Sequence, residues 1–446
     1  MNFPKLLIAN RGEIARRIIR TCKRLGIPTV TVYSEADRNM PYVQEGDERV
    51  LIGPAQATKS YLNMDRIMEA AAVTGAKAIH PGYGFLSENS EFAKRCRETG
   101  LIFVGPETFV IEAMANKIHA RNRMKEAGVP IVPGYDGPIE SVDDAVSLAV
   151  EIGFPLMLKA SAGGGGIGMQ RVDSEAELRM AYDTTLQKAV NFFGDGTVFL
   201  EKWIEEPRHI EVQIAGDRSG NVVHLFEREC SVQRRHQKVM EESPSPALTT
   251  KTRERLYEAA IRGAKSIGYT NVGTMEFILD HNGNFYFLEM NTRLQVEHPV
   301  TEMITGLDLV ELQIRLSAGE NLPWTQADVG AAGHAVEARV YAEDPKTFFP
   351  SPGEIGRMNL PSTGARFDFG YGEGSTVSPY YDPMVGKVIV HGMNRHQALA
   401  QMRKTLQQMQ VDGIQTNLSL LLKILDNHQF INGRYTTNLV TDLLRD

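Results

Sequence analysis

The sequence predicts a mixed α/β and α+β protein in three parts: a doubly wound parallel sheet, a mobile glycine-rich lid and a C-terminal region of antiparallel sheet. Three observations lead to this prediction. Short apolar runs alternate with amphipathic segments up to residue 115, four consecutive glycines follow, and an Asn-Gly hairpin signal lies in the strand-rich remainder. We therefore expect domains at 1–115 (with a linker to about 130), 131–204 and 205–446.

The N-terminal part has the pattern of repeated βαβ units. Strands are predicted at KLLIA (5–9), TVTVY (29–33), AKAIH (76–80) and LIFVG (101–105), and helices at Gly12–Leu25, Met64–Thr74 and 88–99. In a parallel sheet, ligands bind at the carboxyl ends of the strands. Two loops leave those ends, at 10–13 and 80–85, and Tyr83 in the second is an aromatic candidate for flanking a ligand.

A glycine run follows the Pro/Gly boundary at 128–133. The predicted strands Leu156–Ala160 and Met169–Val172 flank it, and a helix at 174–189 and a strand at 197–204 complete the segment. Such a loop can bring backbone N–H groups to phosphate oxygens, and Lys159 just before it can add positive charge. The P-loop spacing is absent, and a flexible lid over a nucleotide is consistent with both the glycines and the donors.

The hairpin at 271–297 predicts a metal site. If Asn282 and Gly283 form a two-residue turn, Glu276 lies opposite Glu289 and on the same face as Asn291. Opposed carboxylates repel unless a cation lies between them, and oxygen ligands suit Mg²⁺ or Mn²⁺. A solvated acidic face is the alternative for two carboxylates alone. The other face would join the core through Met275, Phe277, Leu279, Tyr286, Leu288 and Met290.

Composition excludes several classes of protein. The chain has 446 residues, 42% hydrophobic and 23% charged, as in a globular protein of about three domains. Its net charge of −7 gives no general electrostatic case for nucleic acid or an anionic membrane. The three cysteines lack metal-ligand spacing, and the sequence shows neither a membrane span nor a signal-peptide core. We therefore expect a cytoplasmic protein that binds neither nucleic acid nor membrane.

Basic residues outside the lid point to anion binding. Lys117 lies in a predicted helix near 116–127, and the run QRRHQK at 233–238 concentrates positive charge, although a charge run alone is more often a solvated face. Together with the lid, the acidic hairpin, Arg293 and Glu297, they indicate phosphoryl chemistry with a second, anionic substrate. Because no Walker A or kinase motif is present, we predict an ATP-dependent ligase.

Seven ordered motifs then resemble those of biotin carboxylase. They are ANRGEIA at 9–15, HPGYGFLSEN at 80–89, KASAGGGG at 159–166, EEPRHIEVQ at 205–213, ECSVQRRHQK at 229–238, FLEMNTRLQVEH at 287–298 and YYDPMVGK at 380–387. The resemblance spans essentially the whole chain. It implies an ATP-grasp fold with a pre-ATP-grasp domain, a lid and a C-terminal domain. It also implies that ATP and bicarbonate form carboxyphosphate, which then carboxylates a ring nitrogen of biotin.

The resemblance implies roles for residues at matching positions. The ligands of Mg²⁺ or Mn²⁺ would be Glu276, Glu289 and Asn291. The nucleotide contacts would be Lys117, Lys159, Gly164, Gly165, Gly166, Glu201, Lys202, Ile204, His209, Gln233, His236, Glu276 and Glu289. The bicarbonate and biotin contacts would be Lys238, Arg293, Gln295, Val296, Tyr83 and Arg339. Of these, Lys238 and Arg293 would be catalytic, with Glu297 as general base and Arg339 as the cation beside the biotin enolate.

One position departs from the family pattern, which often has a basic residue where this chain has Ile167, and we expect weaker ATP binding from its loss. The sequence has no Ala-Met-Lys-Met motif, so we expect biotin on a separate biotin carboxyl carrier protein, carboxyltransferase subunits as further partners and a homodimer of this chain. Acetyl-CoA, for fatty acid biosynthesis, is the expected final acceptor; propionyl-CoA, methylcrotonyl-CoA or a 2-oxo acid are alternatives. Another ATP-grasp ligase and a non-catalytic nucleotide-binding homologue are the rival interpretations.

Overall fold

The computed structural model describes residues 3–135, 137–161, 168–362 and 364–445. The strands are β1 (Leu6–Ile8), β2 (Thr29–Ser34), β3 (Glu48–Gly53), β4 (Ala78–His80), β5 (Ile102–Phe103), β6 (Leu156–Ala160), β7 (Met169–Val172), β8 (Val198–Lys202), β9 (Arg208–Gly216), β10 (Val222–Arg234), β11 (Gln237–Ser243), β12 (Asn271–Leu279), β13 (Phe285–Asn291), β14 (His334–Tyr341), β15 (Gly353–Glu354), β16 (Arg357–Asn359), β17 (Arg366–Phe369), β18 (Thr376–Val377), β19 (Met384–Gly392) and β20 (Gln410–Asp412). The helices are α1 (Gly12–Leu25), α2 (Pro41–Glu45), α3 (Met64–Thr74), α4 (Ser90–Glu98), α5 (Thr108–Ala115), α6 (Lys117–Glu126), α7 (Val142–Ile152), α8 (Glu175–Phe193), α9 (Thr250–Ser266), α10 (His298–Thr305), α11 (Leu309–Ser317), α12 (Arg395–Gln408), α13 (Leu418–Asp426), α14 (His428–Ile431) and α15 (Leu439–Leu443).

Five parallel strands form the predicted N-terminal sheet, in the order β3-β2-β1-β4-β5. Helices α1 and α3 have the predicted bounds, because Gly26 and Gly75 end them in the left-handed conformation at φ of 69° and 68°. Strand β3 was not predicted, because it is an edge strand in which Ile52 is the single buried residue, so it lacks a buried apolar run. The loops after β1 and β4 meet, since Asn10 Nδ2 donates to the carbonyls of Pro81 and Tyr83.

The three strands predicted around the glycine run form one antiparallel sheet, in the order β7-β6-β8. Helices α7 and α8 cover it with Ala145, Ala149, Leu178 and Ala181, which pack on the buried side chains of the strands. The predicted phosphate contacts Gly164, Gly165 and Gly166, and the divergent Ile167, lie outside the described residues.

Eight antiparallel strands form the largest sheet, in the order β13-β12-β9-β10-β11-β14-β19-β17. Helix α9 packs against β9 and β12 through an apolar cluster that includes Leu256, Met275 and Phe277. At the other end of the sheet, Val388 of β19 and Met402 of α12 belong to a second core cluster. None of the described helices combines the length and the apolar content needed to cross a bilayer.

The β12–β13 hairpin confirms the predicted facing of Glu276 and Glu289, but by a different route. The predicted two-residue turn is wrong. The backbone closes between Asp280 and Asn284 around a three-residue turn, in which Gly283 has a φ of 79°. A bulge in β13 at Leu288 then restores the register that the longer turn shifted by one residue.

The bulge also corrects the predicted core face of the hairpin. Met275, Phe277, Leu279 and Met290 are buried as predicted. On β13, however, Phe285 and Phe287 fill the core, whereas Tyr286 and Leu288 are only half-buried. The side-chain alternation reverses at the bulge, so a pattern counted back from Met290 fails beyond it.

Candidate functional site

A cavity of about 790 Å³ lies between the three-stranded sheet and the eight-stranded sheet. Its volume is in the range of small-molecule sites. The predicted site residues that line it are Lys117, Lys159, Glu201, Lys202, Ile204, His209, Gln233, His236, Lys238, Glu276, Glu289, Asn291, Arg293, Gln295, Val296, Glu297 and Arg339. Tyr83 does not line it; its hydroxyl donates to Glu13 instead. The strand pairing therefore brings segments from residue 117 to residue 339 to one cavity.

The acidic end of the cavity is built by strand register. Glu276 of β12 pairs with Glu289 of β13 on one side and with Glu211 of β9 on the other, so three carboxylates lie side by side. Lys117 Nζ lies 3.6 Å from Glu289 Oε2, and His209 Nε2 lies 2.8 Å from Glu276 Oε2. Such a row is stable only when cations balance it.

The donors at this hairpin fit a hard divalent cation. Glu276, Glu289 and Asn291 offer oxygen ligands from one face, and the Glu289 side chain is 28% exposed towards the cavity it lines. Burial alone would raise the pKa of Glu276, but Lys238 and His209 outweigh it and hold this pKa well below its ordinary value. The carboxylate is therefore ionised, as a ligand of Mg²⁺ or Mn²⁺ must be.

The ammonium of Lys238 connects the acidic row to the second half of the cavity. Its Nζ lies 2.6 Å from Glu211 Oε2, 3.2 Å from Glu276 Oε1 and 2.6 Å from Glu297 Oε1. Burial disfavours the charged form, but the three carboxylates outweigh burial and raise the pKa of Lys238 well above its ordinary value. Lys238 is therefore a fixed positive charge at neutral pH.

Glu297 lies between two cations. Its other oxygen, Oε2, accepts from Arg339 Nη2 at 2.9 Å, and Arg339 Nε in turn donates to Glu241 Oε1 at 2.6 Å. Burial would raise the pKa of Glu297, yet Lys238 and Arg339 together hold it well below its ordinary value. The side chain is thus a buried carboxylate that is ionised and bound through both of its oxygens.

The opposite wall of the cavity comes from the three-stranded sheet. Lys159 and Arg121 both donate to the carboxylate of Glu201. The distance from Arg121 Nη1 to Glu201 Oε1 is 2.8 Å. His236 lies with Arg235 in a two-residue turn between β10 and β11, both at positive φ. Burial, and then the charge of Lys159, lower the pKa of His236, so its imidazole is neutral. Lys159 and the neutral His236 are suited to phosphate contacts.

Several residues that organise the site were not predicted. Arg228 is fully buried at the centre, where it donates to Glu211, Gln213, Thr274, Gln295 and Thr301. Glu88 accepts from Arg293 Nε at 2.8 Å and so orients it. Glu88 and Arg228 lie within or just before the quoted motifs HPGYGFLSEN and ECSVQRRHQK, but nothing in the sequence indicated their partners.

Family comparisons cover nearly all of the chain. Residues 2–111 match the family described as biotin carboxylase, N-terminal domain, and residues 337–442 match the biotin carboxylase C-terminal domain. Residues 116–325, between them, match the carbamoyl-phosphate synthase L chain, ATP binding domain. A relative named biotin carboxylase 2, from Bacillus subtilis (strain 168), is 54% identical over 98% of this chain and 99% of its own length.

Solved structures agree with these matches. A crystal structure of a Campylobacter jejuni biotin carboxylase, described as a βγ-ATP complex, has a TM-score of 0.97 and 46% identity, covering 99% of each chain. The biotin carboxylase domain dimer of Hydrogenobacter thermophilus 2-oxoglutarate carboxylase, described in complex with MgADP, ADP and bicarbonate, has a TM-score of 0.96 and 48% identity. It covers 99% of this chain and 97% of that one.

Proposed function

The chain belongs to the biotin carboxylase family, and we propose that it carboxylates biotin on a separate carrier protein with ATP and bicarbonate, through carboxyphosphate. Membership makes it an ATP-dependent ligase. The observation that carries the proposal is the placement of one ionised carboxylate, Glu297, between Lys238 and Arg339 in a cavity that also contains the acidic hairpin.

The nucleotide end of the proposed reaction uses the wall and the hairpin. Lys117, Lys159, His209, Gln233 and His236 would contact the nucleotide, and the backbone at 201–204 would lie beside the base. Glu276, Glu289 and Asn291 would hold Mg²⁺ or Mn²⁺. When bound, the cation would neutralise charge on the phosphate oxygens during transfer.

The bicarbonate end uses Lys238, Arg293, Gln295 and the backbone of Val296 as the pocket for the anion. Bicarbonate is a weak nucleophile until it loses its proton, and Glu297 would accept that proton at its carboxylate. In the unliganded chain Lys238 stabilises the carboxylate and weakens it as a base. An anion bound against Lys238 would compete for that charge and so make Glu297 more basic.

Arg339 would then stabilise the biotin enolate. Deprotonation of the ureido ring delocalises negative charge to the carbonyl oxygen, and a fixed guanidinium lowers the energy of that enolate. Glu241 and Glu297 hold Arg339 from two sides, so its charge is already oriented. Tyr83 remains a proposed neighbour of biotin; it is half-buried, and its hydroxyl donates to Glu13.

We propose a biotin carboxyl carrier protein and carboxyltransferase subunits as partners, and a dimer of this chain. The relative from B. subtilis, 99% of which is covered, bears the name of the carboxylase step alone, and the H. thermophilus domain is described as a dimer. Acetyl-CoA is the proposed final acceptor. The 48% identity to a domain of a 2-oxoglutarate carboxylase makes a 2-oxo acid the second candidate.

Steady-state ATP hydrolysis by the purified chain with Mg²⁺ tests the proposal. Turnover should require bicarbonate and rise with free biotin. A rate that does not change with biotin and requires a different second substrate would favour another ATP-grasp ligase. The match of residues 116–325 is consistent with that alternative. Binding of nucleotide without turnover would identify a regulatory homologue.

A further inference from the structure

Lys387 is a fully buried cation behind the cavity, and none of the roles above uses it. Its Nζ donates to the carbonyl of Val296 at 2.7 Å and lies 3.1 Å from Glu13 Oε1. A buried lysine needs a counter-charge and hydrogen-bond acceptors, since an unpaired ammonium is costly in the interior. Here one acceptor is a side chain from α1 and the other is the backbone beside the proposed base.

Register places Lys387 and Arg339 as a pair. They are direct cross-strand neighbours on β19 and β14, and their side chains therefore leave the same face. Arg339 contacts the carboxylate of Glu297, and Lys387 contacts the carbonyl of the residue before it. Two adjacent cations thus hold two consecutive residues, one through a side chain and one through a peptide group.

The contact with Lys387 restricts the peptide plane between Val296 and Glu297. A peptide unit is planar, so fixing the carbonyl oxygen of Val296 also orients the N–H and the Cα of Glu297. This segment ends directly at α10, which begins at His298. The position of the Glu297 carboxylate relative to Lys238 therefore depends on a contact made on the far side of the backbone.

The carboxylate that balances the charge of Lys387 is that of Glu13, on the first helix of the N-terminal domain. Glu13 is buried near the start of α1, and its Oε1 also accepts the hydroxyl of Tyr83 from the loop after β4. Asn10, in the loop after β1, donates to the carbonyls of Pro81 and Tyr83 and so connects that loop to the loop after β4. The loops at the carboxyl ends of β1 and β4 thus reach the cavity indirectly, through Lys387.

We propose that Lys387 and its partner Glu13 are positioning residues for the base Glu297 and for the Val296 backbone beside it. The inference rests on the proposed function, because it assigns Lys387 and Glu13 a part in that same reaction. It accounts for two residues of the motifs ANRGEIA and YYDPMVGK that have no contact with the cavity.

Lys387→Met tests this, with Arg253→Met as a matched control. Arg253 also binds one carboxylate, Glu227, at 2.9 Å and one carbonyl, of Ser245, at 3.1 Å, and Glu227 likewise accepts a tyrosine hydroxyl. The assay is bicarbonate-dependent ATP hydrolysis per mole of folded protein, with kcat, the KM values for ATP and bicarbonate, and the melting temperature.

We expect Lys387→Met to lower kcat roughly tenfold or more, because small displacements of a reacting group cost this much. The KM for ATP should stay unchanged, and Arg253→Met should lower the melting temperature without changing kcat. The inference is wrong if Lys387→Met retains wild-type kcat, if its KM for ATP rises as much as kcat falls, or if Arg253→Met loses kcat equally.

Glu13→Gln and the double variant separate positioning from burial of charge. In the double variant no carboxylate is left unpaired, so the melting temperature should recover relative to Lys387→Met while kcat stays low. Recovery of kcat together with stability would overturn the inference.

If Lys387→Met does not fold, Glu13→Gln decides alone: we expect lower kcat, and wild-type kcat would refute the proposal. Absence of bicarbonate-dependent turnover in the wild-type chain would instead refute the proposed function.

Discussion

Lys238 Nζ lies 2.6 Å from Glu297 Oε1, and the same ammonium lies 3.2 Å from Glu276 Oε1. One cation thus connects the proposed base with the proposed metal ligand. Glu211, Glu276 and Glu297 outweigh burial and raise the pKa of Lys238, and Lys238 and Arg339 outweigh burial and lower the pKa of Glu297. A ligand anion that reaches Lys238 must compete with all three of the carboxylates that contact it.

Replacement of the base should separate ATP binding from turnover. Glu297→Gln keeps the shape of the side chain but removes the proton acceptor, and we expect kcat for bicarbonate-dependent ATP hydrolysis to fall about 10²- to 10⁴-fold. Nucleotide affinity, measured by titration calorimetry, should change little. Glu302→Gln is the control, because this buried carboxylate on α10 pairs with Arg17 and Arg366 instead of the cavity. Normal turnover in Glu297→Gln would contradict the assignment.

Removal of a hairpin carboxylate should weaken the binding of Mg²⁺ that ATP hydrolysis requires. Glu276→Gln and Glu289→Gln each delete one charged oxygen ligand, so the Mg²⁺ concentration for half-maximal ATP hydrolysis should rise roughly 10-fold or more. A titration with Mg²⁺ at fixed ATP measures this. Glu258→Gln, on the exposed side of α9, should behave as wild type. If all three variants share the wild-type Mg²⁺ curve, the hairpin does not bind the cation.

The pairing of Arg339 with Glu241 predicts a pH effect on the biotin step. Burial raises the pKa of Glu241 to about 7, although Arg339 opposes this, so the carboxylate protonates as the pH falls through that value. Protonation weakens its hold on Arg339, and biotin-dependent turnover should fall on the acid side of neutrality. In Glu241→Gln the group no longer titrates, so turnover should be lower and this acid limb should flatten. An unaltered pH profile in the variant would show that Glu241 does not set it.

A buried histidine predicts how stability depends on pH. His80 is fully buried, its Nδ1 accepts the N–H of Gly82 at 3.0 Å, and burial lowers its pKa to about 3. The unfolded chain binds a proton near pH 6.5 that the folded chain rejects, so the free energy of unfolding falls as the pH drops from about 6.5 towards 3, by about 1.4 kcal/mol per pH unit.

Urea unfolding between pH 7 and about pH 5 measures this slope. His80→Asn retains an acceptor for Gly82 but does not titrate, and its slope should be shallower than that of the wild type. The window lies above the range in which Glu242 affects stability, which runs from its ordinary pKa of about 4.5 in the unfolded chain down to about 2 in the folded chain, where His334 and Arg395 outweigh burial. Equal slopes in the two proteins would mean that His80 makes no contribution.

Local pattern was enough for much of the fold. The bounds of α1, α3, β6 and β7 agree with the sequence, since glycine caps, flanking turns and apolar periodicity mark their ends. The hairpin turn was wrong by one residue, and the bulge at Leu288 hid the error. A bulge has no local signature in the letters FLEMN, because it depends on how β13 packs against its neighbours.

Through the resemblance of its motifs, the sequence by itself indicated the family, the reaction class and about half of the residues that line the cavity, because motifs are local properties of the chain. The tertiary structure decided which charges meet. Arg228 binds groups between 15 and 73 positions away, and Lys387 reaches Glu13 from the far end of the chain. Such pairings follow from the order of strands in the large sheet and its packing against the N-terminal loops, which no stretch of sequence specifies alone.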